Sequence, residues 1–232
     1  MTNVAAACTK GACRWGVLCV SLALAACASG PPTPEWQMNA HGASQKAQDA
    51  YLAGNTRVEQ LEWARARQAL ARTGRLDLLA RLELLRCASR VASLVFEPCV
   101  GFEALRQDAP AAEKAYADYL AGQLTLQDMA LLPPAQRAVA QAAPTDAGGA
   151  PLFRIEDPLS RLVAAGVLLK TGRATPATLS IAVETASAQG WRRPLLAWLV
   201  VQAERAQAAG DTEASASLQR RIAIVERNGK QD

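Results

Sequence analysis

The chain has 232 residues, half of them hydrophobic, a fifth charged and only 5% aromatic, with a net charge of +4 at pH 7. That is globular composition; it excludes a disordered or collagen-like chain, and abundant Ala and Leu with few aromatics favours helices over sheets. Arginine outnumbers lysine 20 to 5, a bias of base composition before it is a sign of nucleic-acid chemistry, and a body of about two hundred residues buries a normal core.

The amino terminus carries Lys10 and Arg14 without acids, then an apolar run of twelve residues, Trp15 to Ala26. A membrane-spanning helix needs about twenty apolar residues, so the run reads as the hydrophobic segment of an export signal. It ends in Leu24-Ala25-Ala26-Cys27, which resembles the lipobox of bacterial lipoproteins. The resemblance covers the leader alone. It implies that residues 1–26 are a signal peptide, that signal peptidase II cuts before Cys27, and that the Cys27 thiol carries a diacylglyceryl group. Ala28 stands where an Asp would signal retention at the inner membrane, which implies sorting to the outer membrane. The competing reading is an ordinary secretory leader cut near Ala26 or Ala28, with Cys27 unmodified.

Of six cysteines, Cys8, Cys13 and Cys19 lie in the leader, Cys27 at its end, and Cys87 and Cys99 in the body. An even pair in an oxidising compartment predicts a disulfide; the bland alternative is two buried thiols. On one continuous helix the two Cα atoms would sit about 18 Å apart, and a bridge tolerates at most about 7 Å. The helix carrying Cys87 must therefore end before Cys99, and Glu97-Pro98 is the expected break.

Residues 27–43 hold three Pro and two Gly without an apolar period, and are expected to form a lipidated flexible tether about 20 Å long on average. Within it, Trp36 reads as an interfacial anchor or a contact on the body. A first helical lobe is expected over 44–141. Thr56 to Glu59 matches a capping box, Val58, Leu61, Ala64 and Leu70 form a helical stripe, and Gly74 is a stop. The next helix is expected from Leu76 to Val95, and the short Thr73-Gly74-Arg75 hinge makes the pair antiparallel. Asp108 and Pro110 start a helix that runs to Leu120 and is closed by Gly122. Thr125 starts a short one that Pro133 and Pro134 end or kink.

Residues 142–157 are the longest stretch without a period, read as a linker or long surface loop and as the boundary of a second lobe over 158–232. Asp157-Pro158 and Thr175-Pro176 are helix starts, with stops at Gly172 and Gly190. The last two helices, Pro194 to Ala209 and Thr212 to Arg227, flank Gly210-Asp211. The expected fold class is all-α, built of antiparallel helical hairpins, as a non-repeating helical body or a short irregular solenoid. Gly210-Asp211 with Ala214 is weakly similar to the turn of tetratricopeptide repeats, but no second copy recurs at a period of about 34.

Catalytic parts are few. The only histidine, His41, falls in the tether stretch, so the body offers no Ser-His-Asp, Cys-His or His-rich zinc arrangement. No H-E-x-x-H, phosphate-binding glycine loop or C-x-x-C occurs, and no cofactor or metal is expected. Glu97, Glu103 and Asp108 are the candidate carboxylates for a glycosidase acting on peptidoglycan, against a surface or capping role. Arg57, Arg65, Arg67, Arg72, Arg75, Arg81, Arg86 and Arg90 outnumber the nearby acids by four, which suits anionic lipid headgroups, an acidic partner, or a plain solvated face. Trp191 with Trp198 and Tyr116 with Tyr119 fall at helical spacing and are candidate partner-binding side chains, core packing being the default.

Together these features lead to an expected function. The chain reads as a periplasm-facing lipoprotein of the outer membrane, a non-enzymatic adaptor, assembly or structural protein. It would hold the membrane through its lipid, bind a protein partner in the envelope, and bind no nucleic acid. The alternatives are a pilotin-like secretion helper and a carboxylate-based cell-wall hydrolase.

Overall fold

A computed structural model describes residues 33–143, 146 and 148–228. Its first helix, α1, spans Glu35–Ala53. The tether stretch expected to reach residue 43 is therefore helical from Glu35 onward. The reason lies in the stripe Ala40, Ala43, Ala47 and Ala50, which is buried. Ala40, Ala43 and Ala47 pack with Trp63, Ala66 and Leu70 of α2 (Thr56–Ala71) and Leu79 and Leu82 of α3 (Leu76–Ala92). Alanine keeps helix propensity high while leaving room for the bulky side chains opposite. The compact unit begins at Trp36.

Helix α2 is capped one residue earlier than the capping-box reading placed it. The Asn55 side chain accepts from the Val58 N–H at 3.2 Å, Thr56 is already helical, and Glu59 is buried instead of reaching back. Gly74, at φ +66°, turns the chain into α3. That helix stops at Ala92, short of the expected Val95. Leu94 adopts φ +61°, its N–H donates to the Val91 carbonyl, and the Val95 N–H reaches back to Arg90 at 2.9 Å. This is a left-handed helix stop with leucine in the place usually held by glycine, at a backbone cost of about 1–2 kcal/mol. The reversal is made at Ser93-Leu94, upstream of Pro98.

The returning loop places Cys99 beside Cys87, with Cα atoms 5.9 Å apart, and the two form a disulfide. A short helix α4 (Val100–Glu103) and a 3-10 turn at Arg106–Asp108 follow, then α5 (Ala111–Ala121), closed by Gly122 at φ +74°. Pro133-Pro134 does not end a helix there. A 3-10 turn over Asp128–Leu131 precedes it, and Pro134 begins α6 (Pro134–Gln141) at the first helical position, where its missing N–H costs nothing.

Helix α7 (Ala150–Phe153) is a single turn. In α8 (Pro158–Lys170) the Asp157 carboxylate accepts from the Ser160 N–H at 2.7 Å. In α9 (Pro176–Ala188) Thr175 and Thr178 cap each other reciprocally. Helix α10 (Arg192–Ala208) starts two residues before the expected Pro194, and α11 (Thr212–Asn228) starts beneath Asp211, which accepts from the Ala214 N–H at 2.9 Å. The described residues contain eleven α-helices and no strand, and the longer ones join through short turns into hairpins.

One apolar core runs through both expected lobes. It holds Leu84 and Val91 of α3, Tyr119 and Leu120 of α5, Val139 of α6, Leu162 to Leu168 of α8, Val183 of α9, and Trp198 and Leu199 of α10. Leu152 and Ile155, from inside the 142–157 stretch, are buried in it. That stretch is thus a long loop over a continuous core; it does not separate two cores. Helices α3 and α8 pack closely at Gly166, where an added Cβ would lie 2.4 Å from the Val91 carbonyl oxygen.

The bridge closes a loop of twelve residues of separation, which by loop-closure entropy is worth roughly 3 kcal/mol. Reduction, or Cys99→Ala, should lower the melting temperature by several degrees while the far-ultraviolet signal at 25 °C stays helical. Free-thiol titration of the denatured, unreduced protein should find neither Cys87 nor Cys99 reactive.

Candidate functional site

An apolar cleft is assembled from separate stretches of chain. Leu84, Leu85 and Ala88 of α3 form one wall, Ala112 and Tyr116 of α5 another, and Leu131-Leu132-Pro133 with Leu159 and Val163 of α8 complete it around about 560 Å³. That size falls within the range of small-ligand and side-chain pockets. The rim is polar. Arg81 and Glu113 form an ion pair at 2.5 Å across the α3/α5 junction, Gln48 overhangs from α1, and Asp157 caps α8 at the far end. Apolar walls with a few fixed polar groups at the mouth can take an apolar side chain of a peptide and orient its backbone.

The four aromatic candidates separate on inspection. Trp198 is fully buried, and its Nε1–H donates to the Ala92 carbonyl at 3.0 Å. Trp191 stands at the N-cap of α10, half-buried against the same core. Tyr119 is 4% exposed, and its ring stacks on Tyr116 with centroids 6.1 Å apart. Only Tyr116 lines the cleft. The tryptophan pair therefore offers no shared accessible face: Trp198 and Tyr119 are core, while Trp191 and Tyr116 are partly buried against it.

Burial pushes the Tyr116 hydroxyl well above the usual tyrosine range, with the Asp157 carboxylate adding to it. Burial does the same to Tyr119, helped by Tyr116 and opposed by Arg173. The Tyr119 hydroxyl has no hydrogen-bond partner among the described residues.

Of the three candidate carboxylates, Glu97 and Glu103 line a second hollow of about 420 Å³ beside the disulfide, and Asp108 lies outside it. Each of the two is held by a guanidinium, Glu97 by Arg90 at 3.2 Å and Glu103 by Arg106 at 2.7 Å. Among the described residues, no three His, Cys, Asp or Glu side chains converge to hold a metal ion, and no helix is long and apolar enough to cross a membrane. Cys27 lies outside the described residues.

Sequence reasoning missed Arg81, Glu113, Leu131, Leu132, Asp157 and Val163 as one site. Their only local signals were a helix cap at Asp157 and an apolar pair at Leu131-Leu132; tertiary packing alone brings them together. No family model, curated protein or solved structure matches this chain.

The tyrosine environments carry a pH consequence. A phenol whose pKa is raised by folding contributes stability that is complete below the unfolded value of about 10 and is lost as pH rises beyond it. Denaturation midpoints should hold steady through neutral pH and fall above about pH 10. Tyr119→Phe, which deletes a hydroxyl without a partner, should be no less stable than wild type at pH 7 and should lose less at high pH. A cost above about 1 kcal/mol at pH 7 would reveal a partner for that hydroxyl.

Proposed function

We propose that this chain is an envelope lipoprotein, anchored through Cys27 and acting by binding another envelope component. The observation that carries the reading is Leu24-Ala25-Ala26-Cys27 at the end of a twelve-residue apolar run. Each buried acyl methylene contributes about 0.8 kcal/mol, so a diacylglyceryl thioether supplies the two chains that stable anchoring needs. The Cys87–Cys99 disulfide supports an oxidising compartment. The cleft lined by Tyr116, Leu132 and Val163 supports a role in binding, because it joins apolar walls to a polar rim. Ala28 after the acylated cysteine supports the outer membrane as its address. In this role the helical body is the adaptor, assembly or structural element, and the anchor confines it to the membrane face.

Cys27→Ser removes the atom that takes the lipid. The variant should incorporate no labelled palmitate and should stay unprocessed or leave the membrane fraction. Lipid label and membrane association equal to wild type in Cys27→Ser would sink the reading.

A further inference from the structure

The position of α1 changes what the anchor does to the body. Between Cys27 and Glu35 lie seven residues, three of them proline. Even fully extended they span at most about 25 Å. An anchor at Cys27 therefore keeps the start of α1 within about 25 Å of the bilayer, where the sixteen residues 28–43 as a coil could have reached about 55 Å at full stretch.

The first residue of α1, Glu35, is an exposed acid, and the basic groups lie further on, in the groove between α1 and α2. Helices α1 and α2 run antiparallel through the Gly54-Asn55 turn, so the start of α1 lies beside the end of α2. Between them is an open groove of about 340 Å³ lined by Met38, Asn39, Lys46, Glu62, Arg65 and Arg72, among others. Glu62 is its one acid, and it is taken by Arg65 at 2.6 Å. Lys46 and Arg72 are exposed, and neither side chain pairs with a carboxylate among the described residues. Met38 is 56% exposed at the same groove.

Elsewhere the arginine run is largely neutralised: Arg67 pairs with Glu83, Arg75 with Asp77, Arg81 with Glu113 and Arg90 with Glu97. Arg86 lies over the Trp63 ring, and Arg57 sits at the opposite end of α2. In the α1/α2 groove the member of that run left without an acid is Arg72, and Lys46, from outside the run, adds a second exposed cation.

Resting on the lipid-anchor reading, we propose that the α1/α2 groove at Lys46 and Arg72 docks on anionic phospholipid headgroups of the anchoring leaflet. The ammonium of Lys46 and the guanidinium of Arg72 donate to phosphate oxygens, and Met38 enters the interfacial layer. The anchor supplies the high local concentration that makes two cations sufficient. The body then lies against the membrane in one orientation, with its position fixed at two points.

The test uses the mature lipidated protein carrying Asn39→Cys, labelled with a polarity-sensitive fluorophore under non-reducing conditions. It is reconstituted into vesicles of phosphatidylcholine alone or mixed with phosphatidylglycerol, and flotation is recorded alongside emission. Docking predicts flotation with both lipids, and a blue-shifted label only with phosphatidylglycerol, reversed by high salt. Lys46→Gln and Arg72→Gln should each reduce the docked population about fivefold, with flotation and far-ultraviolet helicity unchanged. Flotation with both lipids and identical emission in each would overturn the docking and leave the groove to an acidic protein segment. A chain that carries no lipid and does not float would overturn the anchor reading, and the docking with it.

Discussion

The fold depends on a close crossing of two helix backbones. At Gly166, α8 comes so near to α3 that a methyl group there would lie 2.4 Å from the Val91 carbonyl oxygen. One residue further along α3, the Ala92 carbonyl, left without an intrahelical donor at the helix end, accepts the buried indole N–H of Trp198 from α10 at 3.0 Å. Two residues beyond that, Leu94 turns the chain back in a left-handed conformation. Three helices are therefore joined at the last turn of α3, through close packing, through one hydrogen bond in a dry setting and through a costly turn that the surrounding packing must offset.

Other features follow from where that turn stands. Because α3 stops at Ala92, the loop that follows can bring Cys99 back beside Cys87. Because α8 is held hard against α3, its first turn is carried past the N-terminal half of α3, and Asp157, Leu159 and Val163 complete the cleft that α5 and the Leu131-Leu132 turn begin. Helix α1 stands apart from the main core. It packs through an alanine stripe onto α2 and α3, forming a smaller core of its own, and this is the helix that leads to the tether. The proposed membrane contact and the apolar cleft thus draw on different sides of the same helix, Lys46 on one and Gln48 on the other.

Much of the helical plan was legible because its punctuation is local. Asp157-Pro158, Thr175-Pro176 and Gly210-Asp211 act through a side chain or a glycine within three residues of the helix end, and each sits at a boundary found in the structure. The disulfide was legible by counting. What escaped was whatever tertiary contacts decide. The early part of α1 hid because its buried face is alanine, a residue that gives only a faint apolar signal. The stop at Leu94 hid because leucine carries no turn signature, and Pro98, which does, lies too late. The continuity of the core across residues 142–157 hid because Leu152 and Ile155 are single apolar residues in an aperiodic stretch. Trp198, for which core packing was the default and partner binding the alternative, could not be settled from the sequence, because no spacing shows that its indole meets a carbonyl 106 residues away.

The substitution Gly166→Ala tests the crossing most directly, because two effects predict opposite signs. On an open helix face, alanine in place of glycine gains about 1 kcal/mol from helix propensity. At this crossing the added methyl must push α3 and α8 apart, and overpacking of that kind typically costs about 1–3 kcal/mol. Urea denaturation of Gly166→Ala, followed by far-ultraviolet circular dichroism, should give a midpoint clearly below that of wild type with an unchanged slope. A midpoint equal to or above wild type would show that the helices do not meet at Gly166, and the account of the fold built on that crossing would fail.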